Sequence, residues 1–481
     1  MRSLLFRPTR IDFLVFFRIV FGALAFADVM GLWTYYHLYR GDFRTDTFRF
    51  TYHWWSWVEP LPEPFMSMAF LLILAAAIGI LLGYQYRLAC SIFAIGFTYL
   101  FLLEKSNYLN HGYLFCWISF IMIFLPADRA FSLRIKRDPS SRMSHIPFWT
   151  MAIFPIMMGI VYFYGGIAKI NMDWLRGYPM IYWIGQKEDM PILGPLWGME
   201  STALMMSWAG MLLDLTAPLF LLMRRTRLGI LFFILMFHLT NTLIFAIGIF
   251  PWLSIALSLM FFPPQRPREW IEWLAARSRV VNRWMTNWDQ RVLPHPPVEA
   301  NSIWQGTAKN QPYLTAVLVL VIGFHLIYPF RHNLYPGPTA WTEEGHRFSW
   351  RMMLRGKRGT GYFTVKNLDT GEETNVKPID YLSSRKKRKM LTHPDMILEF
   401  VDFIEEEWAK KGEENIAVYA VIRVGLNGRR LKPYIDPEVD LTQVEWSWYE
   451  HADWIMPFEN TEPVPRRKKR KDPRPKDEDD D

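Results

Sequence analysis

A series of long apolar runs through residues 1–330 constrains this chain more than any other feature. A spanning helix needs about 20 mostly apolar residues, because each residue adds only ~1.5 Å of rise. Nine stretches meet or approach that length: 12–34, 64–84, 88–104, 112–127, 146–169, 200–223, 227–243, 245–263 and 312–330. The last part of 227–263 must be divided at "AIGIFPW", where glycine and proline interrupt the helical pattern. The first run, Ile11–Trp33, is too long for a signal-peptide core and contains Arg18 and Asp28. It reads as a retained span whose two charges are satisfied by other helices. The expected fold is therefore a polytopic α-helical membrane protein, with about nine transmembrane helices. A C-terminal extramembrane α+β domain follows at 331–461, and a charged, disordered tail at 462–481.

Orientation comes from lysine and arginine in the short connections. They crowd the N-terminal "MRSLLFRPTR", the stretch Arg129–Arg142 after the fourth run, "RRTR" after the sixth, and 266–283 after the eighth. With nine alternating spans these all share one side, which is the cytoplasmic one, and 331–461 falls on the outer side. The net charge of +8 comes mostly from these loops and the basic tail. It suits a membrane surface, so lipid and not nucleic acid is the expected partner. Cys90 and Cys116 both fall inside apolar segments, which excludes a disulfide framework or a cysteine metal site.

On this map the polar residues gather in the outer half of the membrane. Asn110 and His111 open the fourth span, Lys169 ends the fifth, His238 and Asn241 lie in the seventh, and His332 follows the ninth. Intramembrane ionisable groups are functional candidates by default. Tyr162, Gly166 and Lys169 recur at i, i+4 and i+7, one helix face. The glycines there either admit a neighbouring helix or leave room for a flat ligand. Lys169 itself keeps two readings open. It is a snorkelling lysine paired with Asp173 at i+4, or a base held out of water. No metal-ligand spacing occurs, so no metal is expected.

The outer region has mixed signals. "GYFTVKNL" reads as a strand, and "GKRGTG" (356–361) as a hairpin turn. Residues 393–411 have the spacing of an amphipathic helix, and Asn427-Gly428 marks a type I′ hairpin.

Taken in order, these motifs resemble one family, the vitamin K-dependent γ-glutamyl carboxylases and their bacterial relatives with an HTTM membrane domain. "FRIVFGALAFADV", "NHGYLF", "GIAKINMDWLRGYPM" and "FHLTNTLIFAIGIF" resemble its membrane motifs. "WTEEGHRFSWRMML", "THPDMILEF" and "YIDPEVDLTQVEWSWY" resemble its outer domain. The resemblance implies an HTTM-like domain at 1–330 and a reduced vitamin K (naphthohydroquinone) cofactor, with O2 and CO2 as co-substrates. In the family a lysine deprotonates the hydroquinone, and the oxygenated cofactor removes a γ-proton from a glutamyl residue. Carbon dioxide then captures the carbanion, and the quinone leaves as an epoxide. The motif match puts that lysine at Lys169, with His111 as a second catalytic residue. Asn110, Tyr162, His238, Asn241 and His332 fall in cofactor- or substrate-binding roles.

The chain departs from the vertebrate pattern. The family's double lysine is Ala168-Lys169 here, no cysteine is available for an outer disulfide, and the outer region is shorter. Quinone epoxidation without carboxylation therefore stays open beside the carboxylase reading, as does a non-catalytic lipid- or quinone-binding scaffold. The same departures point to a bacterial inner membrane with a periplasmic outer domain, rather than to the endoplasmic reticulum.

Overall fold

The structure is a computed structural model that describes residues 2–39, 48–245, 247–283 and 311–465. Among the described residues, nine apolar helices fall on the nine expected runs: α1 Asp12–Tyr39, α2 Phe65–Leu82, α3 Tyr86–Leu102, α4 Asn110–Phe124, α5 Trp149–Ala168, α6 Glu200–Leu222, α7 Arg227–Ile244, α8 Phe250–Leu259 and α9 Gln311–Ile327. Six of these (α1, α2, α5, α6, α7, and α9 with its extension to Leu334) are long and apolar enough to cross a membrane. Helices α3 and α4 are shorter, at 17 and 15 residues.

Helix α8 corrects the expected 245–263 span, because it contains only 10 residues. At ~1.5 Å per residue it covers about half of a bilayer core. Gly248 takes a left-handed φ of +58° and Pro251 sits in the first turn, so helix cannot extend backwards through this stretch.

The bundle interior is built on interlocked aromatic rings. Phe17, Phe21, Phe93, Phe115 and Phe154 are all buried, and Phe21 packs on Phe115 with centroids 4.7 Å apart. Large apolar side chains such as Ile95, Phe124 and Leu320 are about two-thirds exposed on the outside of the bundle. Such a surface suits lipid, since hydrocarbon solvates it and water does not.

The two ends of the bundle have separate partners. At the basic end, strand β1 (Pro8–Arg10) pairs with β2 (His145–Pro147). Buried Arg18 there donates to the Phe131 carbonyl from the connection after α4, while its Nε and Nη1 meet no acceptor among the described residues, so the expected pairing with other helices is only partly realised. At the opposite end, three connections hold the C-terminal domain. Phe48 and Phe50 insert among Phe400 and Phe403 of its core. Lys105 bridges Asp395 and Glu399 at 2.7 and 2.6 Å. Asp173 receives both Arg429 Nη1 and Nη2 at 2.7 Å, and Asn427 Nδ2 at 2.7 Å.

That C-terminal domain is α+β. A four-stranded antiparallel sheet of order β4-β3-β5-β6 is formed by β3 (Lys357–Asn367), β4 (Glu373–Val376), β5 (Ile416–Leu426) and β6 (Lys432–Pro433). Helix α10 (Pro394–Ala409) covers it, burying Ile397, Phe400, Val401 and Ile404 on one face. Asn427 and Gly428 both take positive φ, +49° and +83°, as a type I′ turn demands.

The segment "GKRGTG" is not a turn. It forms the start of β3, with Gly359 opposite Val424 and Gly361 opposite Ile422. A Cβ on Gly361 would stand 2.5 Å from the Val421 carbonyl, and one on Gly359 2.9 Å from that of Leu391. These glycines permit close strand and loop contact, which the sequence pattern does not distinguish from a turn. Residues 466–481, most of the expected charged tail, lie outside the described residues. The first part of that tail is held to the protein: Val464 donates to the Gly428 carbonyl and accepts from the Tyr182 hydroxyl.

Candidate functional site

A cavity of about 240 Å³ runs from within the bundle to the underside of the outer domain. Lys169, His111, Asn110, Tyr162, His238 and Asn241 all line it. Residues separated by as many as 131 positions are thus gathered around one cavity. His332 does not line the cavity. Its Nε2 accepts from Arg351 Nη1 at 3.1 Å, and Arg351 does line it.

Helix packing explains how Lys169 is held. A Cβ on Gly166 would meet Leu215 of α6 at 2.8 Å, and one on Gly165 would meet Asp214 Oδ2 at 3.2 Å. The Gly-Gly pair therefore lets α6 approach α5, the first of the two alternatives that its spacing allowed. That approach brings Asp214 to Lys169, with Nζ 2.6 Å from Oδ2 and 3.0 Å from the Gly165 carbonyl. Both residues are about 95 % buried. The Trp174 ring lies 5.5 Å from Nζ on another side. Snorkelling is excluded by this burial, and the i+4 pairing with Asp173 by that carboxylate's bonds to Arg429 and Asn427.

The other membrane residues form a second polar line. The Tyr162 hydroxyl is 3.3 Å from His238 Nε2 and 3.3 Å from Ser258 Oγ. His238 Nδ1 is buried and has no hydrogen-bond partner among the described residues. Phe250, the first residue of α8, stacks on His111 at 5.6 Å and stands edge-on to His238 at 5.9 Å. The short α8 thus presents an aromatic ring between two histidines, which a full-length span would carry past them. Asn110 is fixed through Tyr108, whose hydroxyl donates to its Oδ1 at 2.9 Å and accepts from the Phe348 amide.

The outer end of the cavity has a different chemistry, which sequence reasoning missed. Arg347, Arg351, Arg355, Lys389, His346 and His393 line it. His346, Arg347, Arg351 and Arg355 come from a segment with unusual backbone: Glu343, Phe348, Trp350 and Met353 all have φ between +50° and +65°. Each bulky residue held there costs about 1–2 kcal/mol, so the surrounding packing must impose it. Trp350 supplies that packing, being 1 % exposed. Arg347 is matched by Asp395 at 2.6 Å and Arg355 by Glu343, whereas Arg351 has no carboxylate partner among the described residues.

Burial governs ionisation in this outer part. It pushes the Lys389 amine down to about 8, aided by Arg355. His393 is pushed down to about 3 and His346 well below its ordinary value, so both imidazoles are neutral at pH 7. For Glu343 burial acts upward, but Arg355 and Lys357 outweigh it and hold the carboxyl at about 2.

Glu343, His346 and His393 offer ligand atoms within 4.8 Å of one another. They do not fit a metal ion. Arg355 and Lys357 already occupy the Glu343 carboxylate, and the neighbouring Arg347 and Lys389 would repel a dication. This end of the cavity is built for anions.

Residues 6–266 match the family described as HTTM domain, and residues 310–461 match that described as vitamin K-dependent gamma-carboxylase, lumenal domain. The second match starts at α9, so it takes in the last apolar helix along with the α+β domain. No solved structure matches the chain. With the first match alone covering more than half of its length, the chain belongs to the HTTM-domain family, as an integral membrane protein related through both of its domains to the vitamin K-dependent gamma-carboxylases.

Proposed function

We propose that this protein is a vitamin K-dependent γ-glutamyl carboxylase of a bacterial inner membrane, with 1–330 as membrane domain and 331–461 in the periplasm. One observation carries the reading. A single cavity joins a buried Lys169–Asp214 pair among apolar side chains to a cluster of guanidinium groups outside the membrane. A lipophilic quinone arrives from the first end and an acidic polypeptide from the second.

The residues present fit a reduced naphthoquinone. Met158, Val161, Phe237 and Phe250 give an apolar wall, and His238 Nδ1 is a buried polar atom free to meet a ring oxygen. The volume is a little below the ~300 Å³ at which ligand pockets begin, room for the ring head with the tail left in lipid. When bound, the reduced quinone supplies with oxygen the base that removes a γ-proton from glutamate.

The chain's own residues do the rest. Lys169 Nζ is the proton acceptor, and it acts only while uncharged. Asp214 Oδ2, 2.6 Å away, can hold the proton instead, so that the pair stays neutral overall while the amine is free. Burial around the pair excludes water that would otherwise quench a strong base. Asn110 and His111 handle protons and hold carbon dioxide beside it. Arg351, oriented by His332, receives the glutamyl carboxylate.

The test uses purified protein in detergent with reduced vitamin K, oxygen, labelled carbon dioxide and a glutamyl peptide. Epoxide and label are expected together in wild type, and neither in Lys169→Ala that still inserts and folds. Epoxide without label would move the function to a quinone epoxidase, the reading that Ala168 in place of a lysine favours. Neither product in wild type would leave a quinone-binding scaffold.

A further inference from the structure

A second cavity of about 280 Å³ adjoins the first and shares three wall residues with it: Lys105, His346 and Arg347. Its remaining lining includes Tyr52, Arg331, Tyr335, Trp446 and Trp448. Four of its residues carry buried polar atoms without a partner among the described residues. These are the Tyr52 hydroxyl, Arg331 Nε and Nη1, Arg347 Nε and Trp448 Nε1. Every one can donate a hydrogen bond, so the cavity wall carries N–H and O–H groups that no described residue accepts. Buried donors left unmade cost about 1–3 kcal/mol each, which makes such a cluster an expensive accident and a reasonable ligand site.

Charge narrows the choice of ligand. Asp395 and Glu399 on the wall are already matched by Lys105 and Arg347. Glu343 is matched by Arg355 and Lys357. Asp402 and Glu445 sit at the exposed rim, where water screens them. Arg331 is left with no carboxylate among the described residues. Its Nη2 donates to the Arg347 carbonyl at 2.6 Å, and its guanidinium stacks 4.2 Å from the Tyr328 ring and 5.7 Å from that of Trp448. A guanidinium fixed between two rings, with spare N–H groups, is a receptor for a carboxylate. Among the described residues, each cavity therefore contains one guanidinium without a carboxylate partner, Arg351 in the first and Arg331 in the second.

We propose that the second cavity is a subsite for a second carboxylate of the same polypeptide, held by Arg331, Tyr52 and Trp448 while its neighbour occupies the first. This rests on the polypeptide reading of the first cavity. It selects substrates with closely spaced acidic residues and keeps a polypeptide in place between successive reactions.

The experiment measures binding and turnover separately. Leucine-flanked peptides with one glutamate, or with a second glutamate one or two residues away, are compared with the glutamate-to-glutamine controls. Binding is read by fluorescence anisotropy on the full protein in detergent. The two-acid peptides are expected to bind roughly tenfold more tightly, the gain of one charged hydrogen-bonded contact. Arg331→Gln and Tyr52→Phe should each remove most of that advantage. Tyr52→Phe deletes only a hydroxyl without a partner, so a structural role predicts no change in binding or in Tm. Equal binding of the one- and two-acid peptides overturns the proposal, and so does a preference that survives both variants. A preference without any turnover would sink the carboxylase reading alone and leave the subsite standing.

Discussion

Lys169 and Asp214 lie 45 residues apart in the chain, yet Nζ and Oδ2 are 2.6 Å apart inside the helix bundle. The contact exists because two successive glycines of α5 have no side chain to keep α6 away. A carboxylate and an amine so placed form one unit, and neither can be changed without altering the other's environment.

Asp214→Asn keeps the shape and removes the charge. We expect epoxide formation to fall about 100-fold or more, the range of a lost proton-handling group. Asp214→Ala should in addition destabilise the fold by about 3–5 kcal/mol, since it strands a buried ammonium. Thermal unfolding in detergent and a turnover assay read the two effects separately. Turnover within threefold of wild type in Asp214→Asn would show that the carboxylate only anchors the lysine.

The clamp between Asp173 and Arg429 holds the outer domain over the cavity. Arg429 is 4 % exposed and bidentate, so lysine cannot replace it. Arg429→Lys should weaken docking by about 1.5–3 kcal/mol. The measurement is amide exchange over residues 423–434 and 170–182, which should quicken together. Exchange that quickens in the hairpin alone would show that the clamp stabilises only the turn.

Acid should loosen the outer domain before it affects the bundle. His393 and His346 have folded pKa values depressed by burial, so the unfolded chain binds more protons below the ordinary histidine value of 6.5. Their contribution to stability is complete above pH 6.5 and is lost as pH falls towards about 3, the folded value of His393. Glu399 opposes this. Burial raises it to about 7, so its contribution is complete below the unfolded value of 4.5 and is lost as pH rises through 7. Tm between pH 4 and 6.5 should therefore slope upward with pH, and His393→Gln should flatten the slope. An unchanged slope would mean that other groups set it.

Gly361→Val tests the strand assignment of 356–361. A Cβ 2.5 Å from the Val421 carbonyl must push β3 from β5, at a cost of about 1–3 kcal/mol. Near-neutral Tm would instead support the turn that the glycines suggest.

How much was legible differs between the two domains and the site. The run of apolar segments determined the bundle, because hydrocarbon tolerates nothing else over such lengths. The amphipathic spacing at 393–411 and the Asn427-Gly428 pair determined a helix and a turn close to where they lie. The polar residues of the membrane half were also visible, since each breaks an apolar run. Their partners were not. Asp214 stands in such a run and carried the same signal as Lys169, but no local rule joins positions 45 apart. The arginines at 347, 351 and 355 looked like ordinary charges in a polar segment. Tertiary structure alone decided which of them were spent in ion pairs and which faced a cavity unpaired. Periodicity reports how a segment meets its solvent over a few residues, whereas an ion pair depends on how closely two distant helices can approach. In this protein that approach was decided by the contact of Gly165 and Gly166 with Asp214 and Leu215.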